Sequence, residues 1–175
     1  MRYIVLILLV FAASFTWSQS LVFEFKGQVD NLDANKREGG VTVSIVQGGS
    51  TVKSTTTASS GKYSIESSVN YRSPFKVVFS KPGFVSKYVQ FNLSSLNEED
   101  IPAATTFRPL EDLSMSIFST RDNVDFSFLN SESVATFDWN ANGAAVRLDK
   151  VASSRVSKKI LDLLEKADKD KAEAE

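Results

Sequence analysis

The sequence predicts an all-β fold: an antiparallel, seven-stranded Greek-key β-sandwich, followed by a short hairpin and a C-terminal α-helix. Three observations predict it. From residue 21 onward, apolar side chains recur at every second position. Glycine, proline and serine punctuate these runs at short intervals. Only near the C-terminus does the apolar spacing become helical.

The first eighteen residues read as an address. Arg2 precedes an almost unbroken apolar stretch over residues 4–13, and the small residues Thr16 and Ser18 frame a cleavage before Gln19. The stretch is shorter than the ~20 residues that cross a bilayer comfortably, so a cleavable signal peptide over 1–18 is expected and no span in the mature chain. Export would place the protein in the periplasm. With no cysteine near the cleavage point, this is not a lipoprotein signal.

Strands follow in order. Phe23, Phe25 and Val29 alternate with Glu24, Lys26 and Gln28; Val41, Val43 and Ile45 alternate with Thr42 and Ser44. Gln47-Gly48-Gly49-Ser50 reads as a tight hairpin turn. Tyr63 and Ile65, then Phe75, Val77 and Phe79, then Val89, Phe91 and Leu93, then Leu113, Met115 and Ile117 repeat the pattern. One oily and one wet face per segment is the signature of antiparallel sheets, since buried parallel strands read as continuous apolar runs.

The strands from about residue 23 to 118 resemble the carboxypeptidase regulatory-like family, a transthyretin- or Cna-B-like sandwich. The matching residues are Gly27-Gln28-Val29, Gly40-Val41-Thr42-Val43, the run Thr57-Ala58-Ser59-Ser60-Gly61-Lys62-Tyr63-Ser64-Ile65, and the strand ending Lys81-Pro82-Gly83-Phe84. Ala58 departs from the family, whose members commonly carry Asp there. The resemblance implies a non-enzymatic accessory or binding module, common in cell-envelope proteins of Gram-negative bacteria. Residues 119–166 resemble the extension that follows such modules in the type IX secretion and outer-membrane machinery. That implies a plug or accessory subunit of a large outer-membrane translocon. The expected organisation is a signal peptide (1–18), the sandwich (19–118), a strand-hairpin-helix extension (119–166) and a charged, disordered tail (167–175).

The chain has no Cys and no His, which removes thiolate nucleophiles, imidazole bases and the usual zinc, copper and haem ligands. Its net charge is −1, and removal of the leader, which holds Arg2 alone, leaves −2; nucleic-acid partners are not expected. The acidic clusters Glu98-Glu99-Asp100 and Glu111-Asp112 sit beside prolines in loop-like sequence, so they read as solvated charge. No cofactor is expected. Asn92-Leu93-Ser94 fits a glycosylation sequon, a triplet that arises by chance.

Asp138, Asn140, Asn142 and Asp149 carry the spacing of a calcium loop, with Gly143 at its turn. Against calcium stand two charges only and a strand-like approach. A hairpin turn followed by Asp149 capping the helix accounts for the same residues. In the helix, expected to run from about 150 to 166, Val156, Ile160, Leu163 and Leu164 share one face. That stripe docks either on its own domain or on a partner. With Phe126, Phe128 and Trp139 it forms the candidate partner interface, and the exposed aromatics Tyr71, Phe84 and Tyr88 are further candidates. Two functions remain: a periplasmic protein-interaction subunit of an envelope complex, or an exported module binding carbohydrate or another small ligand.

Overall fold

A computed structural model describes residues 20–105, 112–143 and 145–174. The expected signal peptide lies outside the described residues, as does Glu111. The chain order is β1 (Ser20–Asn31), β2 (Lys36–Arg37), β3 (Thr42–Gln47), β4 (Ser50–Thr56), β5 (Lys62–Asn70), β6 (Phe75–Ser80) and β7 (Lys87–Asn92). Then come α1 (Ile101–Thr105), β8 (Met115–Ile117), β9 (Ala135–Asn140), β10 (Ala145–Leu148) and α2 (Lys150–Ala174).

These strands form two sheets. One has the order β2-β1-β5 with β8 also on β1, and the other runs β10-β9-β7-β6-β3-β4. Alternation decides which faces meet. Phe23 and Phe25 of β1 are buried while Val22 beside them is exposed, and β6 buries Phe75, Val77 and Phe79. Rings from opposite sheets touch: Phe25 lies 5.2 Å from Phe91 and Phe23 lies 5.7 Å from Phe75, centroid to centroid. Each fully buried Phe of this kind contributes about 1.5–3 kcal/mol through burial, so the facing rings hold the two sheets together.

Two glycines are fixed by close approach. A Cβ on Gly27 would collide with the Leu113 carbonyl oxygen, because Leu113 N–H donates to Lys26 O at 2.7 Å there. Gly61 has φ +74° and its amide donates to Ala58 O, so the backbone itself closes the turn. Tyr63 then enters the core, its hydroxyl donating to Leu113 O at 2.5 Å.

Two expectations are corrected. The sheets are not purely antiparallel: β8 runs parallel to β1, and β9 runs parallel to β7. Parallel neighbours need a long crossover, and residues 93–134 supply it between β7 and β9. The hairpin β9–β10 is therefore the edge of the six-stranded sheet. Finally, α2 does not stop near Lys166 but continues to Ala174. Ala167 is buried and Asp168 lies 3.8 Å from Arg121, so the protein body holds the helix past the expected end.

Candidate functional site: a groove on the open side of the sandwich

The apolar stripe of α2 docks on its own domain. Val156 and Ile160 are buried in a small cluster with Val85, Phe118, Phe126 and Leu129, and Phe128, Leu163 and Leu164 pack against it. Lys159 stacks over the Phe128 ring at 3.7 Å and pairs with Glu132 at 3.2 Å, which pins the helix at its middle. Trp139 is buried in the main core instead. All seven positions expected at a partner interface are thus covered, wholly or partly, by the chain itself. Helical spacing shows that a face is apolar; it does not show what covers it. Tyr71 and Tyr88 are buried as well; the Tyr88 hydroxyl donates to Ser131 O at 2.7 Å.

The calcium pattern resolves into local structure. Asn140 Oδ1 accepts from the Asn142 amide, and Asp149 Oδ1 accepts from the Val151 and Ala152 amides, each at 3.0 Å. Asp149 therefore caps α2. Asp138 sits in β9 opposite Arg147. Among the described residues no group of three or more acidic side chains gathers that could hold a metal ion.

A mostly apolar groove of about 440 Å³ lies between β8 of one sheet, β9 and β10 of the other, and the flank of α2. Its walls include Val89, Met115, Val134, Phe137 and Ile160. Its rim holds three of the six large apolar side chains that are markedly exposed among the described residues: Leu32, Leu148 and Leu161. They come from the turn after β1, from β10 and from α2, so folding brings together what the sequence scatters.

Lys87 lines this groove and is only 5% exposed. It occupies the first position of β7, in phase with the buried Val89 and Phe91, so its side chain enters the space between the sheets. Among the described residues its ammonium makes no ion pair and no hydrogen bond, and it lies 4.6 Å from the centroid of the Phe118 ring. Burial alone lowers its pKa to about 8. The other ionisable group on the walls is Asp112, which accepts from Ser114 Oγ at 2.7 Å. Its charge also helps burial raise the Tyr63 phenol.

The sequence held a signal for Lys87. Counting back by twos from Leu93 through Phe91 and Val89 lands on a lysine in phase with the core. Leu161 lies off the helix stripe, and nothing in its neighbours marks it.

No helix among the described residues is long and apolar enough to cross a membrane. The chain matches no family model and no curated protein, so the site rests on its own geometry.

Proposed function

We propose that this chain is a non-catalytic protein-interaction subunit of a cell-envelope complex, exported to the periplasm by a cleavable signal peptide. Its role would be that of a plug or accessory subunit of the type IX secretion translocon in the outer membrane. The observation that carries the docking part is the rim: Leu32, Leu148 and Leu161, from three separate elements, face solvent around one concave apolar surface. Exposed apolar residues gathered at one place mark a contact surface, whereas single ones do not. The address rests on the leader sequence, and the translocon on the resemblance. In this reading β1 and β3–β8 are the seven strands of a Greek-key regulatory-like module, and β9, β10 and α2 are its extension.

The reading of these strands as such a module is supported by Gly61 at a positive-φ turn and by Tyr63 buried two residues on, the turn-then-aromatic order of the run that carries the resemblance. The test is a tagged full chain recovered from native membranes beside two variants. Leu161→Glu should abolish recovery of an outer-membrane partner, and Lys53→Glu on the distant strand β4 should not. Equal recovery by all three chains, or no outer-membrane partner at all, overturns the proposal.

A small-ligand module is the second reading, and the size of the groove favours it, since ligand sites commonly measure roughly 300–1,000 Å³. The carbohydrate form of that reading is weaker, because Tyr71, Tyr88 and Trp139 are buried and offer no row of rings to stack on sugar.

A further inference from the structure

We propose that the groove binds one small carboxylic acid carried on an unbranched apolar chain, with the carboxylate at Lys87 and the chain along Phe137 towards Leu148 and Leu161. The inference rests on the small-ligand reading of the groove and stands apart from partner docking at its rim.

Three features argue for it. The Lys87 side chain is sunk in the groove wall, 5% exposed as a whole residue, and its ammonium pairs with no acceptor among the described residues, so its one outlet for a counter-charge is the groove. The Phe118 ring covers one side of it, which leaves the groove as the approach for an anion. Asp112, the one carboxylate on the walls, is held by Ser114 and does not serve as that counter-charge: the depressed basicity of Lys87 has burial as its cause and no acidic neighbour relieving it.

The chemistry of the ligand follows from what surrounds the cation. One lysine is a single point charge, suited to a monoanion; a phosphate or phosphate ester would call for several donors or a guanidinium fork. Beyond Lys87 the walls are mostly apolar, with Val89, Val134, Phe137 and Leu148 among them and only Asp112 and three serines polar, so the rest of the ligand is mainly apolar too. The rim is apolar and exposed, so the chain can end at the surface without burying a polar terminus. At neutral pH most Lys87 side chains carry their proton and an alkanoic acid is ionised, which gives the pair its charges.

The experiment is calorimetric titration of the full chain at pH 7 with three separate probes: dodecanoate, dodecanol and acetate. Dodecanoate should bind with one-to-one stoichiometry, dodecanol about tenfold or more weakly, and acetate not measurably. Lys87→Met should weaken dodecanoate about tenfold while leaving dodecanol unchanged. Leu161→Glu, on an exposed helix position where folding is not at stake, should weaken both. Dodecanoate bound equally well by Lys87→Met, or no heat up to millimolar dodecanoate, overturns the inference. So does an acetylated leucyl-glutamyl-leucine amide that binds through Lys87 where dodecanoate does not, since the occupant would then be a peptide. If dodecanoate fails while partner recovery still depends on Leu161, this inference falls alone and the docking proposal stands.

Discussion

The two long sides of the sandwich are closed by different means. On one side β4 passes directly into β5 through a short turn, held by the backbone bonds Gly61 N–H to Ala58 O and Thr57 N–H to Val41 O and by the Thr57 hydroxyl, which accepts from Val41 N–H. On the other side β8 is three residues long, and β9, β10 and α2 arrive late in the chain. There the gap is closed by side chains, and incompletely. The first side is sealed by its own backbone; the second keeps a groove with a lysine inside it. Closure by chain continuity is tight because consecutive residues share turns and hydrogen bonds. Closure by a docked helix depends on which side chains happen to reach across.

The largest expected effect comes from the tight part. Phe91 is 1% exposed, and its ring lies 5.1 Å from that of Phe75 and 5.2 Å from those of Phe25 and Phe137. Phe91→Ala should cost about 4 kcal/mol, read from denaturant unfolding. A loss under about 1 kcal/mol would mean the sheets are not held by that stack.

Next comes the docked helix. Ile160→Ala should cost about 3 kcal/mol, because Ile160 is 7% exposed in the small cluster. Its diagnostic is hydrogen exchange: amides of α2 should open more readily while those of β1, β5 and β6 stay protected. Uniform loss of protection would show that helix and sandwich unfold as one unit.

A third substitution should act in the opposite direction. The Lys87 pKa of about 8 lies below its unfolded value near 10.5, so the fold disfavours the charged form. Below pH 8 both states hold the proton and the penalty is fully present. Between 8 and 10.5 the unfolded chain binds more protons than the native one, so stability rises with pH; above that the penalty is gone. The shift corresponds to about 3 kcal/mol, and the lost contact with Phe118 offsets about 1. Lys87→Met should therefore stabilise the protein by about 2 kcal/mol at pH 7, with the gain vanishing by about pH 11. Unfolding midpoints measured across that range check both sign and window.

How far the sequence could be read follows the same division. Where a segment packs through its own alternation, as in β1, β3, β5 and β6, the pattern around Phe23, Val43, Ile65, Phe75 and Phe79 named the buried face directly. The hairpin after Val134 and the Asp149 cap were legible too, since turns and caps are local chemistry. What was not legible was pairing over distance. Nothing in Ala135–Asn140 says that it will lie parallel to β7, and nothing in Val156 and Ile160 says which surface they will meet. The groove is made by such long-range choices, so its rim residues read in the sequence as ordinary leucines.

Adjacent positions on α2 give the finest test of the contrast. Ile160 points into the small cluster, and Leu161, one residue on, is 62% exposed at the groove. Leu161→Glu keeps a good helix former. The new carboxylate would face Glu165 four residues on, which costs about 0.3 kcal/mol, and Lys158 three residues back, which returns a similar amount. Stability should therefore change by less than about 0.5 kcal/mol, against about 3 for its neighbour. What should change is function: partner recovery and dodecanoate binding should both fall while the unfolding midpoint stays put. If the substitution instead destabilises the protein as Ile160→Ala does, Leu161 is part of the seal on the open side. The rim would then be core, and the groove would have no apolar lip to offer.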